Sequence, residues 1–410
     1  MRRGSRLGER ARGTSRGRGR SLRRSLSRGR LRRSDPSSNI SFSCSYPPFP
    51  RQTFVEFSIL IELQIASPTP ATEQQAFHDA VAQAVLADEL GYHCVWAVEH
   101  HGLYEYSHCS APEVLLAFVA AKTSRIRLGH AVTLTPHRYN HPMRVAERVA
   151  VLDILSGGRV NWGSGKSASR TEQGAFEIDR EELDGQWREA LEMIPRMWGS
   201  DIFEWEGTHF HIPPTPVIPK PLQRPHPPIF AACSRMESVV LAGSLGVGSL
   251  NFSAGTDDYL VQKVQAYRDA IATATTSGRR INSRFACTPT ALVLDDDREA
   301  CAYGFRGSRF FGEGLATYFF SPTRVVGELD INRNALSSAE LDEAMAGRSR
   351  PDSQLVSVIG DPAAARESVA RFKAAGVDEL ILVMQMGTVP QEIVMRSLRT
   401  FADKVMPEFS

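Results

Sequence analysis

The stretch Ala87–His101, ADELGYHCVWAVEHH, decides the fold, because a helix end, a stop, a strand and a polar cluster follow one another in it. Gly91 fits the left-handed backbone position that commonly ends an α-helix. Val95–Val98 is a short apolar run, as expected of a strand that is buried on both faces. His100 and His101 follow where that strand ends, and parallel α/β folds bind their ligands at this end of their strands. The stretch therefore predicts an α/β fold with a site at the histidine pair.

Strand-like and helix-like segments alternate along the rest of the chain. We predict strands at Ser58–Ile65, Val95–Val98, Ile126–Leu134, Arg159–Gly165, Ile229–Cys233, Val247–Phe252, Phe285–Leu294 and Glu379–Met386. We predict helices at Glu73–Leu90, Pro112–Lys122, Pro142–Leu155, Arg180–Met197, Glu237–Ser244, Asp257–Thr275, Pro362–Ala375 and Gln391–Val405, with Thr72 as a cap of the first and a loop over Pro213–Pro228. Eight such units predict a (β/α)8 TIM barrel with insertions, the main one over residues 296–356.

Three other motifs are incomplete. A doubly wound sheet is the alternative fold, but Gly246–Gly248 lacks the third glycine of a dinucleotide-binding fingerprint. Gly163–Ser167 resembles the end of a P-loop, yet the first glycine of that motif falls on Val160. His137 and His141 stand four residues apart, but prolines bracket them, which argues against a helical metal pair. We therefore expect no Rossmann site, no nucleotide P-loop and no metal.

The N-terminal segment differs in composition from the rest of the chain. Residues 1–34 contain fourteen arginines and one acid, and such a segment cannot bury enough apolar surface to fold. A nucleic-acid arm and a transit segment are two interpretations of it. We favour a third, a start codon assigned too far upstream, because residues 55–410 carry a net charge of −11, which does not suit nucleic-acid binding. We predict a disordered Arg/Ser-rich extension over 1–54 and a barrel over 55–410.

The six cysteines are scattered, without a Cys-x-x-Cys pair. This spacing argues against a zinc site and against a disulfide framework, and it suits a reducing cytoplasm. The sequence has no apolar run of membrane-spanning length and no apolar core of a secretory signal near its start. We therefore expect a cytoplasmic protein that binds neither membrane nor nucleic acid.

Four segments after Val55 together resemble the bacterial luciferase-like, flavin-dependent monooxygenases. They are VWAVEHH (95–101), RIRLGHAVTLTP (125–136), HPMRVAERVAVLDILSGGRVNWGSGK (141–166) and GVDELILVMQMGTVPQEIVMRSLRTFADKVMPEF (376–409). The resemblance implies a luciferase-like TIM barrel, reduced FMN as co-substrate, O2 as oxidant and oxygen transfer to a small apolar substrate through a flavin C4a-hydroperoxide. It also implies a homodimer that packs the Pro112 and Pro142 helices across a two-fold axis. Since the chain lacks a nicotinamide fingerprint, we expect a separate NAD(P)H:flavin reductase as its partner.

The resemblance assigns the catalytic role to His100, which matches the family's catalytic histidine. Histidine suits proton transfer because its charge changes near neutral pH. Successive strand residues face opposite sides, so we expect His101 to be held structurally in a polar network instead. Glu99 is then expected to fix the tautomer of His100 or to raise its basicity.

The resemblance also implies the cofactor-binding residues. Ala131-Val132 corresponds to a non-proline cis peptide against the flavin ring. Lys166 stands where family members often carry an arginine for the flavin phosphate. Cys233 and Ser234 lie where the family binds that phosphate with backbone and hydroxyl groups.

Two alternatives and the substrate pocket stay open. The same superfamily includes oxidoreductases that use the deazaflavin F420, and a flavin-binding protein without turnover is the third hypothesis. The loop after the EHH triplet and the 296–356 insertion are expected to form the pocket and its lid, although their aromatic residues fit a core equally well. The residues expected to line the pocket and lid are Leu103, Tyr104, Tyr106, His108, Cys109, Phe305, Phe310, Phe311, Tyr318, Phe319 and Phe320.

Overall fold

The computed structural model describes residues 54–253, 255–276, 279–320, 327, 329–348 and 357–409. Its strands are β1 (Glu56–Ile61), β2 (Cys94–Ala97), β3 (Arg127–Leu134), β4 (Val160–Gly165), β5 (Ile202–Glu206), β6 (His211–Pro216), β7 (Ile229–Cys233), β8 (Gly248–Phe252), β9 (Phe285–Thr288), β10 (Thr290–Val293), β11 (Ser357–Gly360) and β12 (Glu379–Leu382). The predicted extension over 1–54 lies outside the described residues except for Phe54, and it stays a prediction.

The helices lie mostly between successive barrel strands. They are α1 (Pro70–Leu90), α2 (Pro112–Ala120), α3 (Pro142–Leu155), α4 (Arg170–Ala175), α5 (Leu183–Gly199), α6 (Met236–Ser244), α7 (Asp257–Ala272), α8 (Asp297–Leu315), α9 (Ser338–Arg348), α10 (Pro362–Ala375) and α11 (Gln391–Lys404). A π-helix (Ala316–Phe320) follows α8, and a 3-10 helix (Met406–Glu408) follows α11.

Eight parallel strands close into a barrel in the order β1, β12, β9, β8, β7, β4, β3, β2. Each overlaps one of the eight predicted strands, so the predicted (β/α)8 barrel is confirmed. The barrel closes because Ile59 of β1 pairs with Val95 on one side and with Leu382 on the other. Because helices cover the outside and side chains fill the inside, every residue of β2 and β12 is buried. The carboxyl ends of the eight strands share one face, which carries the predicted site.

Glycine ends two of the helices as the sequence predicts. Gly91 (φ 85°) follows α1 and Gly376 (φ 91°) follows α10, both in the left-handed region. The predicted start of α1 is wrong by three residues. Thr69 is its N-cap, and Thr72 belongs to the third helical position, where its hydroxyl accepts the Thr69 amide at 2.8 Å.

The predicted strand Phe285–Leu294 is wrong, because it consists of two strands in different sheets. Pro289, which has no N–H to donate, separates β9 in the barrel from β10, which pairs with β11 in a two-stranded parallel sheet. The region 296–356 is also more regular than expected, since α8, the π-helix and α9 occupy much of it. Before β7, the antiparallel pair β5–β6 includes the start of the predicted proline-rich loop.

The glycines of the GSGK segment serve the packing of β4 against β3. A Cβ atom at Gly163 would lie 2.2 Å from the carbonyl oxygen of His130, and one at Gly165 would lie 2.3 Å from Cγ2 of Val132. Both distances are far below a van der Waals contact, so only glycine fits at either position. The β3–β4 register shifts between His130 and Thr133, next to these contacts.

Candidate active site

The predicted site residues lie in or after the carboxyl-terminal halves of four barrel strands. His100 follows β2 by three residues, and Lys166 follows β4 directly. Ala131 and Val132 lie within β3, Cys233 ends β7, and Ser234 follows it. The parallel strands therefore direct these residues to the same end of the barrel.

His100 lies between two buried carboxylates. Its Nδ1 is 2.9 Å from Oε1 of Glu172 in α4, and its Nε2 is 3.6 Å from Oε1 of Glu62, which follows β1. Burial by itself lowers the pKa of His100, but the hydrogen bond that it donates to Glu172 and the charges of both acids raise it above its usual value. The His100 side chain is still 17% exposed, so it reaches the barrel mouth from within this cluster.

Glu172 is held as an anion by three donors. Besides His100, the amide of His101 donates to its Oε1 at 3.0 Å and the hydroxyl of Ser167 to its Oε2 at 2.5 Å. Burial raises the pKa of Glu172, yet these hydrogen bonds outweigh burial and lower the pKa. Glu172 therefore fixes Nδ1 of His100 as a protonated nitrogen.

Glu62 is fully buried, and neither of its carboxyl oxygens has a hydrogen-bond partner among the described residues. Burial raises its pKa to about 7, while the positive charge of His100 and the nearby Ser107 hydroxyl, which donates to the Glu62 backbone carbonyl at 2.7 Å, act in the opposite direction. Sequence analysis missed both Glu62 and Glu172. An acid inside the apolar run SILIELQI was a signal for Glu62, whereas Glu172 lies in a segment that no pattern assigned.

Glu99 binds the other histidine, so the expectation that it fixes the tautomer of His100 is wrong, whereas its charge does help to raise the pKa of His100. Its Oε1 lies 3.3 Å from Nε2 of His101 and accepts the Asn140 amide at 2.7 Å. Its Oε2 accepts the backbone amide of Leu134 at 2.8 Å. The ring of His101 stacks on Tyr139 with 8° between the planes. His101 is thus held in a polar and aromatic network, in keeping with the structural role predicted for it.

Aromatic rings pack against the imidazole of His100. Tyr106 and Phe319 contact its ring edge to face, at centroid distances of 5.8 and 5.6 Å. Phe311 extends this group and packs against Phe252, whose ring is 41% exposed at the end of β8. Only some of the predicted pocket aromatics therefore lie near His100. Phe310 is instead fully buried in the core, and Phe320 is exposed.

Small apolar residues line the barrel mouth. Ala232 is exposed although Ala231 and Cys233 on either side of it are buried, and Ala131 and Val132 are only half-buried within an eight-residue strand. The Ala131-Val132 peptide bond is cis, which is the geometry that the resemblance implies. The mouth therefore offers small aliphatic side chains from β3 and β7, which flank Gly165 of β4.

Lys166 belongs to a charged group at the rim. Its ammonium lies 2.5 Å from Oδ1 of Asp184 in α5, and Arg188 donates to the other oxygen of the same carboxylate at 2.5 Å. One acid thus faces two cations, which leaves a net positive charge near the ring of Trp187. This charge suits an anionic group.

The side chains of Cys233 and Ser234 point to different surroundings. The Cys233 thiol is buried, lies 3.3 Å from the carbonyl oxygen of Ser238, and has a pKa raised to about 11 by burial. Ser234 is exposed and precedes α6, whose first amides are unpaired within the helix. Of these two residues, Ser234 offers its hydroxyl and Cys233 offers only its backbone to a ligand at the rim.

One cluster among the described residues has the composition of a metal site, at the opposite end of the barrel. Glu56, His93 and Glu379 place one ligand atom each within 4.8 Å of one another. The guanidinium of Arg284 contacts all three, with 2.8 Å to Nε2 of His93 and 3.7 Å to Oε2 of Glu379. Because an arginine already supplies the positive charge, we interpret the cluster as an ion-pair network.

No described helix combines the length and the apolar character needed to cross a bilayer. A family model described as luciferase-like monooxygenase matches residues 55–379. The chain is 29% identical to the oxygenase component of a flavin-dependent trigonelline monooxygenase from Acinetobacter baylyi, over 43% of this chain and 49% of that protein. It is 34% identical to an F420-dependent hydroxymycolic acid dehydrogenase from Mycobacterium tuberculosis, over 41% of this chain and 47% of that protein.

The chain thus matches about half the length of each of these two relatives. Among solved structures, the monooxygenase RslO1 from Streptomyces bottropensis is similar over 87% of this chain and 100% of its own. Its TM-score is 0.73 at 27% sequence identity.

Proposed function

We propose, on the premise that this chain belongs to the luciferase-like monooxygenase family, that it is the oxygenase of a two-component system. It uses reduced FMN and O2 to oxygenate a small apolar organic substrate, and a separate NAD(P)H:flavin reductase provides the reduced flavin. The observation that carries this proposal is the placement of His100, a proton-carrying group that reaches an apolar barrel mouth from a buried acid cluster. When bound, reduced FMN would supply the activation of O2.

The residues around the mouth fit a flavin. Ala131, Val132 and Ala232 form an aliphatic surface that suits a planar ring, because all three side chains are short and none is polar. Lys166 would bind the phosphate, with Ser234 and the amides at the start of α6 as further donors. Lysine is a point charge rather than the bidentate fork of an arginine, so the phosphate would be held less rigidly.

The chain's own residues have three tasks in this reaction. His100 gives a proton to, or takes one from, the reacting oxygen. Tyr106, Phe311 and Phe319 exclude water from the mouth and contact an apolar substrate. Glu172 orients His100 through Nδ1, which leaves Nε2 as the nitrogen whose proton moves.

F420 is the second candidate cofactor, because the chain matches F420-dependent relatives as well. Binding of the two reduced cofactors to the purified chain decides between them. We expect reduced FMN to bind and O2 to be consumed with apolar substrates. Without an added reductase, NAD(P)H should not be oxidised. Tight binding of F420 with none of FMN would overturn the FMN proposal.

A variant sharpens the FMN test. Lys166→Met should weaken FMN binding about 10- to 150-fold, since a charge-assisted hydrogen bond contributes about 1.5–3 kcal/mol. Riboflavin, which lacks the phosphate, is the matched ligand and should bind the variant and the wild type alike. An equal loss for both ligands would mean that Lys166 does not contact the phosphate.

A homodimer through α2 and α3 is the proposed assembly. Large apolar side chains are exposed on both helices, which pack side by side, with Phe118 54% and Leu155 68% exposed. Contiguous exposed apolar surface commonly marks an interface. We expect a dimer at micromolar concentration in sedimentation equilibrium, and a monomer for Phe118→Asp because a charge would be buried. Phe77→Asp, at an exposed position of α1, is the control and should stay dimeric; a monomeric wild type would contradict the proposal.

A further inference from the structure

We propose that Glu62 is the positioning residue of the site, and that Glu62 and Nε2 of His100 hold a single proton between them. Glu62 acts through His100 and does not itself reach the mouth, because its side chain is fully buried. Nothing in the resemblance assigns a role to Glu62. The proposal rests on the proposed function only for the reaction in which the proton is used.

The first step of the argument concerns the protons on His100. Glu172 accepts from Nδ1 at 2.9 Å and is an anion with two further donors, so Nδ1 carries a hydrogen. Whether the ring is a neutral imidazole or an imidazolium then depends only on whether Nε2 also carries a hydrogen. That nitrogen faces Oε1 of Glu62 at 3.6 Å.

The second step concerns Glu62. A buried carboxylate without hydrogen-bond donors costs several kcal/mol unless a cation pairs with it. Either Glu62 is a neutral acid facing a bare Nε2, or it is an anion facing an imidazolium. Both states place one proton in the gap between the same two atoms. The proton is therefore a property of the Glu62–His100 pair rather than of either residue.

The third step concerns the groups that face the pair from every packed element. They are Glu172 from α4, Glu99 beyond β2, and Tyr106 and Cys109 from the following loop. Loss of the shared proton would leave two buried carboxylates, Glu62 and Glu172, close to one neutral imidazole. The charge of Glu172 disfavours a second anion at Glu62, so the pair retains its proton to near neutral pH. Burial raises the pKa of Glu62, whereas the neighbouring acids raise the pKa of His100 against the effect of burial.

The proton leaves the pair through His100, because His100 is exposed at the mouth and Glu62 is not. Glu62 thereby keeps the imidazole protonated until a reacting group takes that proton, and water at the exposed edge of His100 then supplies the next proton to the pair. No oxidant or reductant enters this transfer. The step is one proton leaving the Glu62–His100 pair through Nε2, which lies 3.6 Å from Oε1 of Glu62.

The test is a titration of the full chain without any flavin, which keeps it independent of the identity of the cofactor. The imidazole of His100 is followed by NMR of 15N-histidine-labelled protein, and its signal is assigned by its loss in His100→Asn. We expect Glu62→Gln to lower the midpoint of His100 by about one to three pH units, as removal of an opposite charge within about 4–6 Å does. Failure of FMN to bind would sink the proposed function and leave this result untouched.

Glu99→Gln is the matched control, since it removes an equally buried acid that binds His101 instead of His100. It should move the midpoint of His100 clearly less than Glu62→Gln does. If Glu62→Gln leaves that midpoint in place, or moves it no further than Glu99→Gln, the shared proton does not exist.

A second measurement uses only the wild-type protein, so it tests the proposal even if the Glu62→Gln variant fails to fold. In wild-type protein, infrared difference spectra should show a carboxyl signal that changes over the same pH interval as the His100 titration, either the loss of the carbonyl band of a neutral acid or a shift of the carboxylate bands as the imidazolium beside them loses its proton. Two separate transitions, or no carboxyl change over that interval, would overturn the proposal.

Discussion

Replacing His100 by asparagine is expected to slow oxygen transfer about 10²–10⁴-fold, the usual contribution of a positioned acid–base group. The amide of asparagine can still donate to Glu172 in place of Nδ1, so the fold and the acid cluster should persist. Binding of reduced FMN should be unchanged, because its phosphate is expected near Lys166 and Ser234. Oxygen uptake should continue, with hydrogen peroxide appearing in place of the oxygenated product. Product yield and peroxide are measured together in single-turnover experiments.

His101→Asn is the control for this prediction. His101 contacts Glu99 and stacks on Tyr139, so its loss should lower the melting temperature and leave product yield nearly intact. A normal yield from His100→Asn, or a larger loss of yield from His101→Asn, would show that the wrong histidine of the pair has been chosen.

Gly163→Ala is expected to cost about 3 kcal/mol of folding free energy or more, at the upper end of the overpacking range. The added methyl group would meet the carbonyl oxygen of His130 at 2.2 Å. That oxygen belongs to β3, which is paired on both sides in a closed barrel, so it cannot move without disturbing two ladders. Urea unfolding followed by circular dichroism measures the loss.

Gly199→Ala provides the comparison. Gly199 is the last residue of α5, and nothing lies within 4 Å of the position that its Cβ would occupy. The folding free energy should therefore change by no more than about 0.5 kcal/mol. Equal stability of the two variants would show that β3 and β4 do not approach as closely as described.

The order of strands and helices along the chain was predictable from neighbouring residues. The errors in that prediction also have causes in the local sequence. Glycine stops and apolar runs predicted eight strands that each overlap a strand of the barrel, because hydrophobic period and backbone conformation depend on neighbouring residues. The break at Pro289 was missed, since Phe285–Leu294 is one continuous apolar-rich run apart from that proline. The pair β5–β6 was missed because its second strand, His211–Pro216, contains three prolines, which are rare in strands.

The sequence by itself determined the barrel and the position of His100 at its open end, because both follow from strand order and from the polar residues after an apolar strand. Only the tertiary structure decided the partners of His100. Glu172 lies 72 residues further along the chain, and Glu99, the neighbour in sequence, points to the other face and binds His101. Contacts of this kind arise only when the barrel closes and brings the ends of separate strands together. The chemistry of the site therefore depends on pairs of residues that no local pattern links.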